Sequence, residues 1–338
     1  MFFDYPVFFK KNRVFRVYKG GKLFADFFSD DSTDGNYPEE WVVSTVHALN
    51  DGSTDEYEGV SKIQGTDLYL NDAVEKYKKE MIGDADEIGV LTKILDSAIR
   101  LPVQAHPDKP FSKQYFNSTH GKEESWVILA TRPGARVYYG FKPGVTMEQF
   151  SQAIQESETS KTAMEELLES FEVKPGDVIY IPAKMVHAIG AGCLLLEVQE
   201  PSDFTVQPER WCGDYRLSDN EMYLGLDKTT ALECFEIDKK FPAPLNPAII
   251  EETVGIKYES LIDSRFTDTF KVNRIKLDSG IYNLDNGNRI YVVIDGSGTI
   301  KSDDYNKAVK KGDYFFMPEK AKGKFNITGD ATIIECYR

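Results

Sequence analysis

The sequence predicts a mainly β protein made of two similar β domains, with helical segments attached to the first. Short apolar runs such as 126–129 and 178–181 are separated by Gly, Pro, Asn and Asp, a pattern typical of a β-sandwich or barrel. A ten-residue block at 173–182 recurs at 309–318. The length of 338 residues suits roughly two domains of about 100–200 residues each.

The internal repeat is the most specific of these signals. Residues 173–182 read VKPGDVIYIP, and residues 309–318 read VKKGDYFFMP. Two flanking blocks repeat in the same order: 126–129 resembles 291–294, and 195–198 resembles 333–336. Two copies of one β unit predict two similar β domains. We therefore expect a first domain at 1–240 and a second at 255–338, joined by a proline-containing linker.

Helical periodicity appears twice in the first domain. The apolar positions recur at a spacing of three or four residues, which predicts helices. They are Ile88, Leu91, Leu95 and Ile99 in one stretch, and Met164, Leu167, Leu168 and Phe171 in the other.

The charge and the cysteines exclude several classes of protein. The formal net charge is −15, which argues against a general nucleic-acid binder. No apolar run approaches the ~20 residues of a membrane helix, and the N-terminus lacks the pattern of a signal peptide. Cys193, Cys212, Cys234 and Cys336 match no zinc or redox spacing. We expect a cytoplasmic protein without nucleic-acid or membrane partners.

Most of the negative charge lies in one window. Residues 23–61 contain ten Asp and Glu and no Lys or Arg. Gly, Pro, Ser and Thr are frequent there, and the run 41–46 reads as a single strand. The composition predicts solvated loops around that strand, and the window lies away from the motif segments in sequence.

Four nitrogen and oxygen donors form a candidate metal site. Gln104 and His106 are two residues apart, and residues i and i+2 of a strand share a face. Glu124 falls on the same face as the apolar Trp126, where a carboxylate is costly unless it is paired or bound to a metal. His187 follows the strand 178–181. Such donors without a thiolate suit Zn²⁺, with Fe²⁺, Mn²⁺ or Co²⁺ as competitors.

Comparison of the two copies places this site in the first domain only. Arg289 stands at the position of Glu124, and Gly323 stands at the position of His187. A purely structural requirement would have kept both copies alike. We therefore expect no metal ligands in the second domain. His47 and His120 lack comparable partners and are expected to be structural.

At these motifs the sequence resembles the class I mannose-6-phosphate isomerases, which are zinc-dependent proteins of the cupin fold. The matching segments are LPVQAHPD at 101–108, GKEESW at 121–126 and HAIG at 187–190. The resemblance implies two cupin (jelly-roll β-barrel) domains and one Zn²⁺ per chain. It places the metal ligands on Gln104, His106, Glu124 and His187.

The resemblance also implies an intramolecular oxidoreductase, an aldose–ketose isomerase that interconverts mannose 6-phosphate and fructose 6-phosphate. It places Lys93 and Lys122 near the metal, where burial beside a cation would lower a lysine pKa. The family's catalytic Arg falls on Gln207, so Arg210 is the candidate substitute, and the family's phosphate-contacting Ser is Pro102.

These two departures leave alternatives open. One is a cupin isomerase acting on an unphosphorylated or differently substituted sugar. The other is a non-catalytic sugar-binding cupin. The expected partner is a small sugar or sugar phosphate, and the chain is expected to be a monomer or homodimer.

Overall fold

The computed structural model describes all 338 residues and is dominated by antiparallel sheet. Every α-helix lies before residue 233. The expectation of a mainly β protein with helical segments in its first part is therefore confirmed.

The chain forms eighteen strands and seven α-helices. The strands are β1 (Arg13–Val14), β2 (Glu39–Val42), β3 (Leu91–Ser97), β4 (Glu124–Thr131), β5 (Arg136–Phe141), β6 (Leu168–Glu172), β7 (Val178–Ile181), β8 (His187–Ile189), β9 (Cys193–Gln199), β10 (Trp211–Cys212), β11 (Tyr215–Arg216), β12 (Ala248–Thr253), β13 (Ile256–Ile262), β14 (Lys271–Asn283), β15 (Arg289–Ser302), β16 (Tyr305–Lys310), β17 (Tyr314–Met317) and β18 (Asn326–Tyr337). The helices are α1 (Lys22–Phe28), α2 (Leu70–Lys76), α3 (Lys78–Ile82), α4 (Lys109–Phe116), α5 (Met147–Glu156), α6 (Asp219–Tyr223) and α7 (Lys228–Leu232).

The first unit is a sandwich of two sheets. A six-stranded sheet has the order β1-β2-β3-β9-β4-β7, and a three-stranded sheet has the order β6-β5-β8. Buried side chains of both sheets, among them Trp126, Leu195, Val137 and Ile189, form one apolar cluster. The two sheets therefore enclose a common core, since each buries one face against the other.

The second unit is a seven-stranded sheet with the order β12-β13-β14-β18-β15-β16, and β17 pairs with β15. It repeats the strand arrangement of the first unit. In the first unit, β9 lies between β3 and β4, and in the second, β18 lies between β14 and β15. The two copies detected in the sequence are thus two copies of one strand arrangement.

The register of these strands is also repeated. In the first unit Glu197 of β9 is opposite Lys93 on one side and Trp126 on the other. In the second unit Glu335 of β18 is opposite Asn273 and Tyr291.

The two units share a core. The largest apolar cluster joins residues of the first sheet, such as Leu196, with residues of the second, such as Ile334. The N-terminal segment takes part as well, because Val7 forms a β-bridge with Phe316. Folding of either unit alone would leave this apolar surface exposed to water.

Both predicted helices are wrong. The stretch with Leu91 and Leu95 is β3, which is buried along its whole length. Leu91 and Leu95 are four residues apart and share a face in a strand as well as in a helix, so this spacing does not distinguish the two. The stretch after Met164 is a short 3₁₀ turn followed by β6, whose residue Leu168 is buried.

The four cysteines are buried and unpaired. None of the helices combines the length and the apolar composition that a membrane crossing requires.

The shared core gives a stability prediction. Leu196→Ala removes a fully buried side chain and should lower the free energy of unfolding by about 2–5 kcal/mol through lost burial and a residual cavity. Urea unfolding followed by circular dichroism measures the change. Ile249→Ala, at a side chain 56% exposed, should change it by less than about 0.5 kcal/mol. Equal effects of the two substitutions would contradict the assignment of Leu196 to the core.

Candidate metal centre

The candidate ligands are carried by segments that the backbone holds in register. Gln104 and His187 form an antiparallel β-bridge, with both backbone N–H···O distances at 2.9 Å. Glu124 begins β4. The glycine that follows β8 allows close packing at this point, because a Cβ on Gly190 would lie 2.2 Å from the carbonyl oxygen of Arg136. The HAIG motif therefore combines a donor side chain with a glycine that the neighbouring strand requires.

Three of the predicted donors meet in a buried cluster. His106 Nε2 lies 3.1 Å from Glu124 Oε2, and His187 Nε2 lies 3.3 Å from Glu124 Oε1. Their potential ligand atoms all lie within 4.8 Å of one another. Each of the three side chains is at most 1% exposed. The structure thus brings together residues 106, 124 and 187, which are far apart in the sequence.

The hydrogen bonds orient both imidazoles for coordination. His187 Nδ1 lies 2.8 Å from the carbonyl oxygen of Met185, and His106 Nδ1 lies 3.0 Å from that of Phe204. A carbonyl only accepts, so each Nδ1 carries the proton and each Nε2 presents a lone pair. Buried polar groups normally have partners, yet Glu124 Oε1 and His187 Nε2 form no hydrogen bond. These donors fit a bound divalent transition metal.

The charges around the cluster keep the donors in the required protonation states. Burial and the nearby Lys122 ammonium lower the pKa of His106 to about 3. Burial works to raise the pKa of Glu124, but Lys122 and His106 outweigh it and hold that pKa well below its usual range. At neutral pH the cluster therefore offers a neutral imidazole at His106 and an ionised carboxylate.

The cluster adjoins a large cavity with a volume of about 790 Å³. Gln104 and Lys122 line this cavity. Lys122 Nζ lies 2.8 Å from Glu124 Oε2 and 2.9 Å from His106 Nε2. A ligand in the cavity would therefore lie directly beside the candidate metal donors.

Lys93 lines the same cavity but has a different environment from the one expected. Its ammonium lies 3.3 Å from Glu197, 3.6 Å from Asp203 and 3.8 Å from Glu39. Burial works to lower the pKa of Lys93, but these three carboxylates outweigh it and raise the pKa above its usual value. The sequence did not reveal these three carboxylates, which act against the expected lowering of this lysine's pKa.

The acidic window is also different from the expected solvated loops. Glu39 and Glu40 are buried, at 4% and 0% exposed. Asp51, Asp55 and Glu58 line the cavity. The prediction of solvated loops is therefore wrong for these residues, and the window, though far from the motif segments in sequence, reaches the site in space. The fold brings it there because β2 pairs with β3.

Arg210 is not brought to the cavity. Its guanidinium donates to Glu158 and Asp219 at 2.8 Å each and to the carbonyl oxygen of Leu217. Pro102 and Gln207 do line the cavity. Gln207 is also held by α6, since its Nε2 donates to the carbonyl oxygen of Glu221 at 3.1 Å.

Glu197 is a cavity residue that sequence reasoning missed. It is 3% exposed, and burial together with the charge of Glu124 raises its pKa. A signal was available in the repeat, because a glutamate occupies the same position of an apolar strand in both copies (195–198 and 333–336).

Comparison with known proteins gives a consistent result. Residues 265–338 match the family model described as mannose-6-phosphate isomerase, cupin domain. The mannose-6-phosphate isomerase ManA of Bacillus subtilis is 33% identical over 258 residues, which cover 74% of this chain and 75% of the relative. The mannose-6-phosphate isomerase of Streptococcus mutans is 28% identical over 98% of both chains.

Solved structures agree with these relatives. The crystal structure of the mannose 6-phosphate isomerase from Bacillus subtilis superposes with a TM-score of 0.80 and 25% identity, covering 98% of this chain and 99% of that one. A phosphomannose isomerase from Salmonella typhimurium shares the fold at a TM-score of 0.72 and 16% identity, covering 99% of this chain and 100% of that one. The cupin fold expected from the sequence is confirmed.

The geometry of the cluster predicts the effect of losing one donor. His187→Ala removes a nitrogen and should weaken Zn²⁺ binding by more than the roughly 10–100-fold that loss of an outer-layer partner causes. Competition with a chromogenic chelator measures the affinity. His47→Ala, which changes an exposed histidine at the cavity wall, should bind Zn²⁺ like the unaltered protein. Unchanged binding in the His187 variant would contradict the assignment.

Proposed function

The chain belongs to the mannose-6-phosphate isomerase family, and from this we propose that it interconverts mannose 6-phosphate and fructose 6-phosphate in a metal-dependent reaction. One observation supports this proposal above the others. The buried His106–Glu124–His187 cluster adjoins the large cavity through Gln104 and Lys122. A sugar held in the cavity would have its reacting carbons next to the metal donors.

We propose Zn²⁺ as the resident metal, one per chain. His106, Glu124 and His187 would hold it with two imidazoles and one carboxylate, and Gln104 would supply a fourth oxygen donor. Catalytic zinc sites use His and carboxylate ligands and can expand to five-coordinate, which would leave a position for a sugar oxygen. When bound, the cation supplies Lewis-acid polarisation of the sugar oxygens at C1 and C2.

The reaction moves a proton from C2 to C1 and a second one between the two oxygens. A base must take the proton from C2 and return it to C1, so its pKa should lie near the working pH. Glu197 lines the cavity, and its pKa is raised above the usual value for a glutamate, which is the direction that this role requires. We propose Glu197 as the group that carries this proton.

The two cavity lysines have separate roles in this proposal. Lys93 stays protonated among its three carboxylates, so its ammonium holds Glu197 at 3.3 Å rather than acting as a base. Lys122 donates to Glu124 and places a positive charge beside the reacting oxygens; the lone pair of His106 Nε2, which also lies near Lys122, would be taken by the metal. Charge that develops on those oxygens would be stabilised by it. Arg210 has no role in this proposal, because its partners lie outside the cavity.

We assign the reaction to a catalytic domain at 1–240 and propose that 255–338 is a cupin-like domain without metal ligands. The four buried, unpaired cysteines suit a reducing compartment. We therefore propose that the enzyme works in the cytoplasm, as a monomer or homodimer.

Metal removal tests the proposal directly. Protein stripped with a chelator and dialysed should lose isomerisation of mannose 6-phosphate, because the sugar oxygens are no longer polarised. Stoichiometric Zn²⁺ should restore it, as measured by coupled detection of fructose 6-phosphate. Full turnover by metal-free protein would contradict the metal-dependent reaction. Sugar binding without turnover by the metal-loaded protein would instead favour a non-catalytic sugar-binding cupin.

The role of Glu197 is tested separately. Glu197→Gln keeps the size of the side chain but removes the base, so kcat should fall by about 10²–10⁴-fold. Zn²⁺ content should stay at one per chain, since Glu197 is not a proposed ligand. Glu236→Gln is a matched control at an exposed position. A kcat within a few-fold of the unaltered enzyme would remove Glu197 from the mechanism.

A further inference from the structure

The cavity wall is strongly acidic. Seven carboxylates and three cations line it. The carboxylates are Glu39, Asp51, Asp55, Glu58, Glu197, Asp203 and Glu221, and the cations are Arg16, Lys93 and Lys122. A wall with this excess of negative charge repels an anionic ligand group.

The three cations are already engaged by the protein. Arg16 donates to Glu39 at 3.0 Å and to both carboxylate oxygens of Asp203 at 3.0 Å each. Lys93 lies among the same two carboxylates and Glu197. Lys122 donates to Glu124 at 2.8 Å. A phosphate could recruit one of them only by separating it from a buried carboxylate, which is costly.

The four cavity-lining carboxylates of the loop 47–58 and of α6 have no cation as a hydrogen-bond partner. Asp51 accepts from the side-chain amide of Asn220 at 2.7 Å, and Glu58 accepts from that of Asn50 at 2.8 Å. Asp55 accepts from a backbone N–H, and Glu221 accepts from the hydroxyl of Tyr215. All these partners are neutral, so the four carboxylates keep their negative charge at the cavity.

Neither Pro102 and Gln207 of the wall nor the neighbouring cations Arg216 and Lys184 offer a free cation to a phosphate. Pro102 has no backbone N–H to donate, and the side-chain amide of Gln207 already donates to the carbonyl oxygen of Glu221. Outside the cavity lining, Arg216 pairs with Glu158 at 2.7 Å and Lys184 with Asp108 at 3.4 Å. A sugar hydroxyl, in contrast, can donate to the carboxylates of the wall, whereas a phosphate offers mainly acceptor oxygens and about −1.5 to −2 charge.

We propose that the enzyme also isomerises the unphosphorylated aldose, D-mannose to D-fructose, with an efficiency close to that for the sugar phosphate. This inference rests on the proposed isomerase function and uses the same chemistry. The C2 proton moves to C1 and a hydroxyl proton moves between the two oxygens, so no other reactant is needed.

The test compares kcat/KM for mannose and mannose 6-phosphate with the Zn²⁺-loaded enzyme. We expect the phosphate to improve kcat/KM by less than about tenfold, since each tenfold corresponds to about 1.4 kcal/mol of added binding in the transition state. A preference of tenfold or more for mannose 6-phosphate would overturn the inference and leave the proposed function standing. Turnover of neither sugar would contradict both.

Ionic strength provides a second readout that does not alter the protein. Salt screens repulsion between the acidic wall and the phosphate. The kcat/KM ratio of mannose 6-phosphate to mannose should therefore rise between low and physiological salt. A ratio that falls with salt would show that the phosphate is attracted to the site and would overturn the inference.

A variant that adds a cation to the cavity wall tests whether the absence of such a charge limits the use of mannose 6-phosphate. Gln207→Arg places a cation at the cavity wall and should raise the ratio in favour of mannose 6-phosphate by at least about tenfold, as a charge-assisted contact to phosphate would. Gln152→Arg adds the same charge on the surface of α5 and should leave the ratio unchanged. An unchanged ratio in the folded, Zn²⁺-loaded Gln207 variant would count against the inference.

Discussion

The carboxylate of Glu124, buried at the start of β4, is the constraint on which the rest of the site depends. An isolated ionised carboxylate in such a place is very costly. The fold compensates by bringing His106, His187 and Lys122 against it within 2.8–3.3 Å. Those partners come from three segments, and the backbone bridge between Gln104 and His187 fixes two of them in register. Local backbone pairing thus determines whether the donor cluster exists at all.

The second unit meets the same kind of constraint in another way. Glu335 occupies the register position that Glu197 has in the first unit, and it is equally buried. Its carboxylate accepts from the hydroxyls of Tyr258 and Tyr291 and from the amide of Asn273, at 2.8–3.0 Å. These neutral donors, with the Arg289 guanidinium 3.8 Å away, make this carboxylate a fixed part of the core. In the first unit the equivalent residue, Glu197, pairs with Lys93 and lines the cavity, where it can contact a ligand.

How much the sequence predicts depends on whether a residue's partners are close along the chain. His106, Glu124 and His187 could be predicted because short motifs and the contrast between the two copies mark them. The strand β3 was mistaken for a helix because Leu91 and Leu95, four residues apart, share a face in either structure. The acidic window could not be placed, because Glu39 is brought near Lys93 only by the pairing of β2 with β3.

The second unit also contributes to the strand that carries Glu124. The preceding residue, Glu123, accepts with one oxygen from Tyr180 at 2.9 Å, from Thr267 at 2.5 Å and from Thr269 at 3.3 Å. Both threonines lie between β13 and β14 of the second unit. Three hydroxyls on one carboxylate restrict its rotamers and therefore the backbone beside Glu124. Contacts with the second unit, which carries no donors of the cluster, therefore offset part of the entropic cost of ordering the strand that carries Glu124.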